Sequence, residues 1–211
     1  MTEEPTDPDF ELIDRILKGE KDKYELLIRK YNQRLYRIAK AILWSEDRIE
    51  DAMQDAYIKA YGKLAAFEQR SSFSTWITRI LINECLMKKR ENKDIVTLST
   101  DEELRRLNLK AEAPNPEKKV LNKELKNLLE NAISGLPEKY RLVFVLREIE
   151  NMGVTETGES LEISEGNVKA RLSRAKEMLR NNLMSVYPAN ELLDFNLVRC
   201  DRIVKGVYAG I

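Results

Sequence analysis

Helical periodicity runs through this chain and is interrupted once. From Phe10 to about Glu91, and again from about Glu117 to Leu183, apolar residues recur at helical spacing. Leu12, Ile13, Ile16 and Leu17 form one stripe; Leu26, Leu27, Tyr31, Leu35, Ile38 and Ile42 form a second. Ile49, Ala52, Met53, Ala56 and Ala60 form a third behind Ser45, a residue suited to cap a helix, with Glu46 and Asp47 placed to meet its positive end. Between Asn92 and Pro116 the recurrence fades, and "EAPNPE" carries two prolines. With eight glycines, six prolines and little β-branched alternation in 211 residues, the pattern predicts an all-α protein of two small helical domains joined by a flexible linker. The expected bounds are 10–92, a linker over 93–116 with a weak helix at Glu102–Leu109, 117–183, and an extension over 184–211. The extension carries a short predicted helix around Leu197–Val207 after Pro188, and Met1–Asp9 is expected to be a disordered lead.

Chemistry is narrowed by what the chain lacks. It has no histidine and two cysteines, Cys85 and Cys200, with no CxxC. The usual zinc ligand sets, Ser-His-Asp or Cys-His catalysis and a disulfide framework are thereby removed. No nucleophile–base pair, metal set or phosphate loop is evident, so no cofactor, metal or small-molecule substrate is expected and an enzyme finds no support. Thirty-six basic residues balance thirty-six acidic ones, so attraction to nucleic acid must come from local patches. The opening "MTEEPTDPDF" is acidic and unlike a secretory leader. No apolar run approaches the roughly 20 residues that span a bilayer. A cytoplasmic protein without membrane insertion is expected.

The second block carries the sharpest local signal. In "LVFVLREIENMGVTETGESLEISEGNVKARLSRAKEMLR", helical stretches at Val154–Leu161 and Glu165–Leu179 leave about three residues for the turn, as a helix-turn-helix requires. Ser164 is placed to cap the second helix, and Pro137 suits the first turn of an earlier one. On that second helix Val168, Leu172, Ala175 and Leu179 share one sector, while Asn167, Lys169, Ala170, Arg171, Ser173 and Arg174 spread over the other side. A small residue at 170 flanked by longer polar ones lets the backbone approach a groove floor while its neighbours reach bases and phosphates. A solvated basic face fits the same periodicity; the tight turn and the preceding helix favour DNA.

The first block offers two more surfaces. Asp51, Gln54, Asp55 and Ile58 fall outward at i, i+3, i+4 and i+7, a face that would also suit plain solvation. In "FEQRSSFSTWITRILINECLMKKR", Ile77, Ile80 and Leu81 face a core, whereas Trp76, Arg79, Asn83 and Arg90 share another arc, with Lys88 and Lys89 beside them. A ring that stacks a base, an amide that reads its edge and cations that follow phosphates suit single-stranded DNA. Trp76 suits a core position equally well.

Together these segments resemble regions 2 and 4 of bacterial sigma factors of the sigma-70 family, extracytoplasmic-function group. The resemblance covers about residues 10–92 and 117–183, with no room between them for a further domain. It implies a transcription initiation factor. Asp51, Gln54 and Asp55 match the stretch with which such proteins dock on core RNA polymerase. The loop and helix from Glu68 onward correspond to the segment that recognises and melts the −10 element, with Gln69, Arg70, Ser71, Ser72 and Phe73 joining Trp76, Arg79, Asn83, Lys88, Lys89 and Arg90. The helix-turn-helix corresponds to the −35 reader, with Arg147 as a further contact beside Asn167, Lys169, Ala170, Arg171, Ser173 and Arg174. An anti-sigma partner is also implied.

Two residues depart from the family pattern. Gly158 stands where Ala is common in the first helix of the motif, and Glu162 where Gly is common in the turn. A slightly softer domain with intact function is expected, since glycine inside a helix costs about 0.5–1 kcal/mol. Lone Cys200 reads as a small buried residue. The competing functional reading is a helix-turn-helix regulator that binds duplex DNA unaided, as a dimer on a palindrome. It leaves the 51–55 face and the aromatic-basic helix without a role.

Overall fold

The computed structural model describes residues 8–95 and 117–186, with positions 202, 205 and 207 beyond them. Among the described residues every regular element is a helix. The expected linker beyond residue 95, its weak helix, most of the tail and Cys200 lie outside the described residues.

The first domain contains α1 (Pro8–Leu17), α2 (Tyr24–Lys40), α3 (Glu46–Gly62) and α4 (Phe73–Ile95). Leu27, Tyr31, Leu35 and Ile38 recur every three to four residues on α2, and all are buried. Ile49, Ala52, Ala56 and Ala60 do the same on α3, and the short side chains of the three alanines admit the close approach of α4. From α4, Ile77, Leu81 and Cys85 meet them on one i, i+4 ladder. The predicted stripes were one residue too wide. Leu17 and Leu26 are exposed and Ile80 is only half-buried, because a 3.6-residue repeat carries positions beside the stripe's centre toward solvent. Helix α4 also runs to Ile95, into the expected linker.

Several buried polar groups of this domain are paired across helices. The Tyr24 hydroxyl donates to the carbonyl of Tyr57 at 2.8 Å, and the Tyr57 hydroxyl donates to that of Ile28 at 3.1 Å. Buried Glu84 receives Lys59 at 2.6 Å. These bonds tie α2 to α3 and α3 to α4 at fixed register.

The second domain contains α5 (Glu117–Ser134), α6 (Glu138–Phe144), a π-turn over Val145–Ile149, α7 (Val154–Leu161) and α8 (Glu165–Val186). Pro137 stands at the N-cap of α6, one residue before the first helical turn, and its carbonyl accepts from Arg141 N–H at 3.0 Å. Ser164 caps α8 as expected, its hydroxyl accepting from Asn167 N–H at 3.3 Å.

The two domains are docked. Leu136, Ala175 and Leu179 make a small core within the second domain, but Leu142, Val145, Leu146 and Met152 join the core of the first. A helical block of this size buries little apolar surface alone, and its remaining apolar side turns to the neighbour. Arg141 fastens the join. Its Nε donates to the carbonyl of Ala41 at 2.7 Å, its Nη1 to those of Ser134 and Leu136 at 2.6 and 3.1 Å, and its guanidinium lies 4.6 Å from the Trp44 ring centre. Burial pushes its pKa down from the usual arginine value.

Candidate polymerase and nucleic-acid interfaces

Helix α4 starts from a serine cap. The Ser72 hydroxyl accepts from Thr75 N–H at 3.2 Å and lies 2.9 Å from the Thr75 hydroxyl. Just before it, Gln69 holds a left-handed backbone at φ 55° and bends the chain outward. The bend leaves Gln69 and Arg70 exposed and Ser71 half-buried; Arg70 pairs with Glu68 at 2.6 Å. Under this loop lies an open cavity of about 320 Å³, whose walls include Phe67, Arg70, Ser71, Trp76 and Arg79.

Trp76 serves both readings of its position. It is half-buried and stacked obliquely on Phe67, with centroids 4.9 Å apart and planes at 38°, while another part of the ring lines the cavity. Phe73 requires a correction. It is fully buried against Tyr31, Phe67 and Trp76, so it backs the cavity wall and has no surface to offer DNA. Its placement follows from the helix: Phe73 shares the inward ladder with Ile77 and Leu81. Arg79, Asn83 and Arg90 lie exposed along one side of α4, continuing from Trp76.

Lys88 and Lys89 point to different partners. Lys88 pairs with Asp55 at 2.7 Å, and that hydrogen bond raises its pKa above the usual lysine value. Lys89 pairs with Glu138 at the start of α6. On α3, Asp51, Gln54 and Ile58 are exposed and Asp55 is partly covered, so the outward face expected for docking is present with one carboxylate already engaged.

On α8, Asn167, Lys169, Ala170, Ser173 and Arg174 are exposed and Arg171 is half-buried, opposite buried Val168, Ala175 and Leu179. The Thr155 hydroxyl donates to Glu165 at 2.6 Å and ties the two helices of the motif together. Arg174 pairs with Glu177 at 2.6 Å along the helix. Arg147 sits half-buried on the π-turn, apart from this row. In the turn, Glu162 adopts the left-handed conformation, φ 55° and ψ 43°. Gly158 is required there: a Cβ on it would lie 2.8 Å from the carbonyl oxygen of Ile163. The expected softening at Gly158 thus gives way to a steric requirement.

Sequence reasoning missed Phe67, Thr75 and four carboxylates of the second domain. Phe67 and Thr75 had a signal, an aromatic before the loop and a serine three residues ahead of a threonine. Glu138, Glu150 and Glu159 had none, because what they meet lies in the other domain; Glu156 had one, since it stands three residues after the N-cap of α7 and its Oε2 accepts from Gly153 N–H at 2.6 Å.

Residues 27–95 match the family Sigma-70 region 2, and residues 126–179 match Sigma-70, region 4. The chain is 32% identical over 176 residues to the ECF RNA polymerase sigma factor SigW of Bacillus subtilis (strain 168), across 81% of this chain and 94% of that one. It is 29% identical over 188 residues to the ECF RNA polymerase sigma-E factor of Escherichia coli (strain K12), across 87% and 97%. Among solved structures, CnrH in complex with the cytosolic domain of CnrY shares the fold at a TM-score of 0.60 and 21% identity, over 85% of this chain and 99% of that one. The fold and the two matched regions define a sigma-70 type initiation factor. Within that class, this chain belongs to the ECF RNA polymerase sigma factors. Among the described residues no helix is long and apolar enough to cross a membrane.

Proposed function

We propose that this protein binds core RNA polymerase and carries it to promoters read at both −10 and −35. Asp51, Gln54 and Asp55 on α3 would dock on a basic surface of the polymerase, where complementary charge speeds encounter and fixes register. Trp76, Arg79 and Asn83, with the loop residues Gln69, Arg70 and Ser71, would receive single-stranded −10 DNA. Lys88, Lys89 and Arg90 would follow its phosphates, and Ser72 would cap the helix that carries these groups. Asn167, Lys169, Ala170, Arg171, Ser173 and Arg174 would enter the −35 major groove, with Arg147 on the adjoining backbone.

The single observation that carries this reading is the open aromatic cavity walled by Trp76 and Arg79 beneath the loop that begins α4. Stacking contributes roughly 1–3 kcal/mol per base, enough to offset part of the cost of unstacking. The protein acts in the cytoplasm and is not an enzyme; catalysis belongs to the polymerase. A solved relative in fold, the sigma factor RpoE of Bartonella quintana, is bound to the anti-sigma factor NepR, which supports an anti-sigma partner here also.

The test is transcription by core polymerase from a promoter library, with and without the full chain. A defined set of promoters should fire only in its presence. Failure to bind core polymerase, or to direct initiation from any promoter, would overturn the reading.

A further inference from the structure

Two ion pairs stitch α3 to α4. Asp55 meets Lys88 at 2.7 Å and Lys59 meets Glu84 at 2.6 Å, so the helices run antiparallel in a fixed register. One residue forward from Asp55, Lys59 and Glu84 the chain enters the core, at Ala56, Ala60 and Cys85. One residue back, about 100° the other way round each helix, it emerges on the solvent side of the seam. The residues there are Gln54 and Ile58 on α3 and Asn83 and Met87 on α4, and all four are exposed.

The register also sets their order along the seam. With Asp55 level with Lys88 and Lys59 level with Glu84, the four alternate between helices as Gln54, Met87, Ile58, Asn83, with about 3 Å of helix rise from one to the next. Side chains lean toward the N-terminus of their own helix, which brings Ile58 and Met87 toward each other and carries Gln54 and Asn83 apart. The groove between α3 and α4 therefore has an apolar centre, Ile58 at 70% and Met87 at 48% exposure, between two amide ends. Isolated apolar side chains are ordinary on a protein surface, but a paired apolar centre with a polar rim is the anatomy of an interface.

The surroundings of the groove say what fits it. Asp51 is exposed on α3 one turn before Gln54 and Asp55, and Asp55 is partly covered, so one end of the groove is acidic. Gln54 belongs to the face assigned above to polymerase, which makes the groove continuous with that face. Exposed charge quickens encounter and fixes register but adds little to retention. Retention comes from an apolar anchor driven out of water, and on this face Ile58 and Met87 supply it.

We infer that core RNA polymerase grips α4 as well as α3, through a basic amphipathic helix laid along their groove that sets one large apolar side chain between Ile58 and Met87. The inference deepens the docking proposed for α3 and rests on it. Asp51 governs how fast polymerase arrives, and Ile58 with Met87 how long it stays. Asn83, at the far end, places the bound helix beside the single-strand row of α4.

The test is surface plasmon resonance of the full chain on core polymerase. Ile58→Gln should speed dissociation about tenfold, the low end for an isoleucine side chain removed from a buried contact. Met87→Gln should speed it several-fold, and in both variants the association rate and its salt dependence should match wild type. The double variant should lose less than the product of the two, because both contact one partner side chain. Ile58→Leu and Met87→Leu keep the apolar surface and should dissociate like wild type. Wild-type dissociation from either glutamine variant, a loss confined to association, or a fall in the unfolding midpoint that accounts for the loss would overturn the proposal. So would a dimer of the free chain, seen by sedimentation, that Ile58→Gln abolishes, since the groove would then belong to a second copy. Met87→Gln that weakens single-stranded −10 binding by the holoenzyme and leaves dissociation untouched would move Met87 to the DNA row and equally overturn it. Asp51→Arg checks the underlying reading. If it leaves association unchanged, the α3 assignment itself fails; if it slows association while the glutamine variants dissociate like wild type, the apolar grip alone fails.

Discussion

The Lys88 ammonium lies 2.7 Å from the Asp55 carboxylate, so a cation expected on DNA is held by an anion expected on polymerase. The pair joins α4 to α3 and makes the two surfaces neighbours on one pair of helices. Asp55→Asn should return the Lys88 pKa toward its usual value, because the bond to Asp55 is the first cause of its elevation. With Asp55 nearly half exposed, the loss in stability should be only a few tenths of a kcal/mol to about 1 kcal/mol. A raised lysine pKa adds stability that is complete below the unfolded value and vanishes as pH climbs through the folded one. Nζ chemical shifts and denaturant midpoints followed into the alkaline range check both statements.

Because Asp55 is engaged, Asp51→Arg alone is the cleaner probe of polymerase docking. It should weaken core binding, chiefly through a slower association, while binding to isolated −35 duplex by the full chain stays unchanged. Lys169→Ala with Arg171→Ala should do the opposite, lowering −35 affinity and leaving core binding intact. Surface plasmon resonance against core polymerase and duplex DNA separates the two; loss of both activities in either variant would mean the surfaces are misassigned.

The turn of the helix-turn-helix yields a pair of opposite stability changes. Gly158→Ala places a Cβ 2.8 Å from the Ile163 carbonyl oxygen, an overpacking that should cost about 1–3 kcal/mol. Helix propensity alone would have Ala gain about 1 kcal/mol at this position. Glu162→Gly relieves a left-handed residue and should stabilise by up to about 1 kcal/mol, since the strain released slightly exceeds the entropy a glycine adds to the unfolded chain. Thermal unfolding decides the signs. An alanine at 158 that stabilises the protein would show that the Ile163 carbonyl yields easily.

Alkaline pH should unfold the first domain. Burial pushes the Cys85 thiol from 9.0 up to about 12, and burial also raises Tyr24 and Tyr57 above the usual tyrosine value. For each, ionisation is easier in the unfolded chain, so stability is full below the unfolded pKa and declines as pH rises toward the folded one. For Cys85 that window runs from about 9 to about 12. Cys85→Ala should flatten part of the decline in denaturant midpoint across it. Labelling with a thiol reagent at pH 8 should leave Cys85 unmodified until denaturant is added.

Much of this architecture was legible before any coordinates. Periodicity alone located α2, α3 and α4, because burying one face of each helix leaves a mark at every third or fourth residue. Ser164, Ala170 and the polar row of α8 followed from cap chemistry and the helical wheel. Phe73 was misread because its chemistry suits either a base or a core, and only its place on the ladder with Ile77 and Leu81 decides. The acidic face at 51–55 was read correctly as outward, but its pairing with Lys88 belongs to a neighbouring helix.

The all-α plan in two blocks, the capped helix-turn-helix and the family membership are written in residues close together along the chain. Tertiary structure alone decided that Arg37 meets Glu150, that Lys89 meets Glu138 and that Glu156 lies over Ser72 and Thr75. Those partners stand 49 to 113 residues apart. Contacts at such separation leave no periodic trace, because they depend on how one folded domain is set against another.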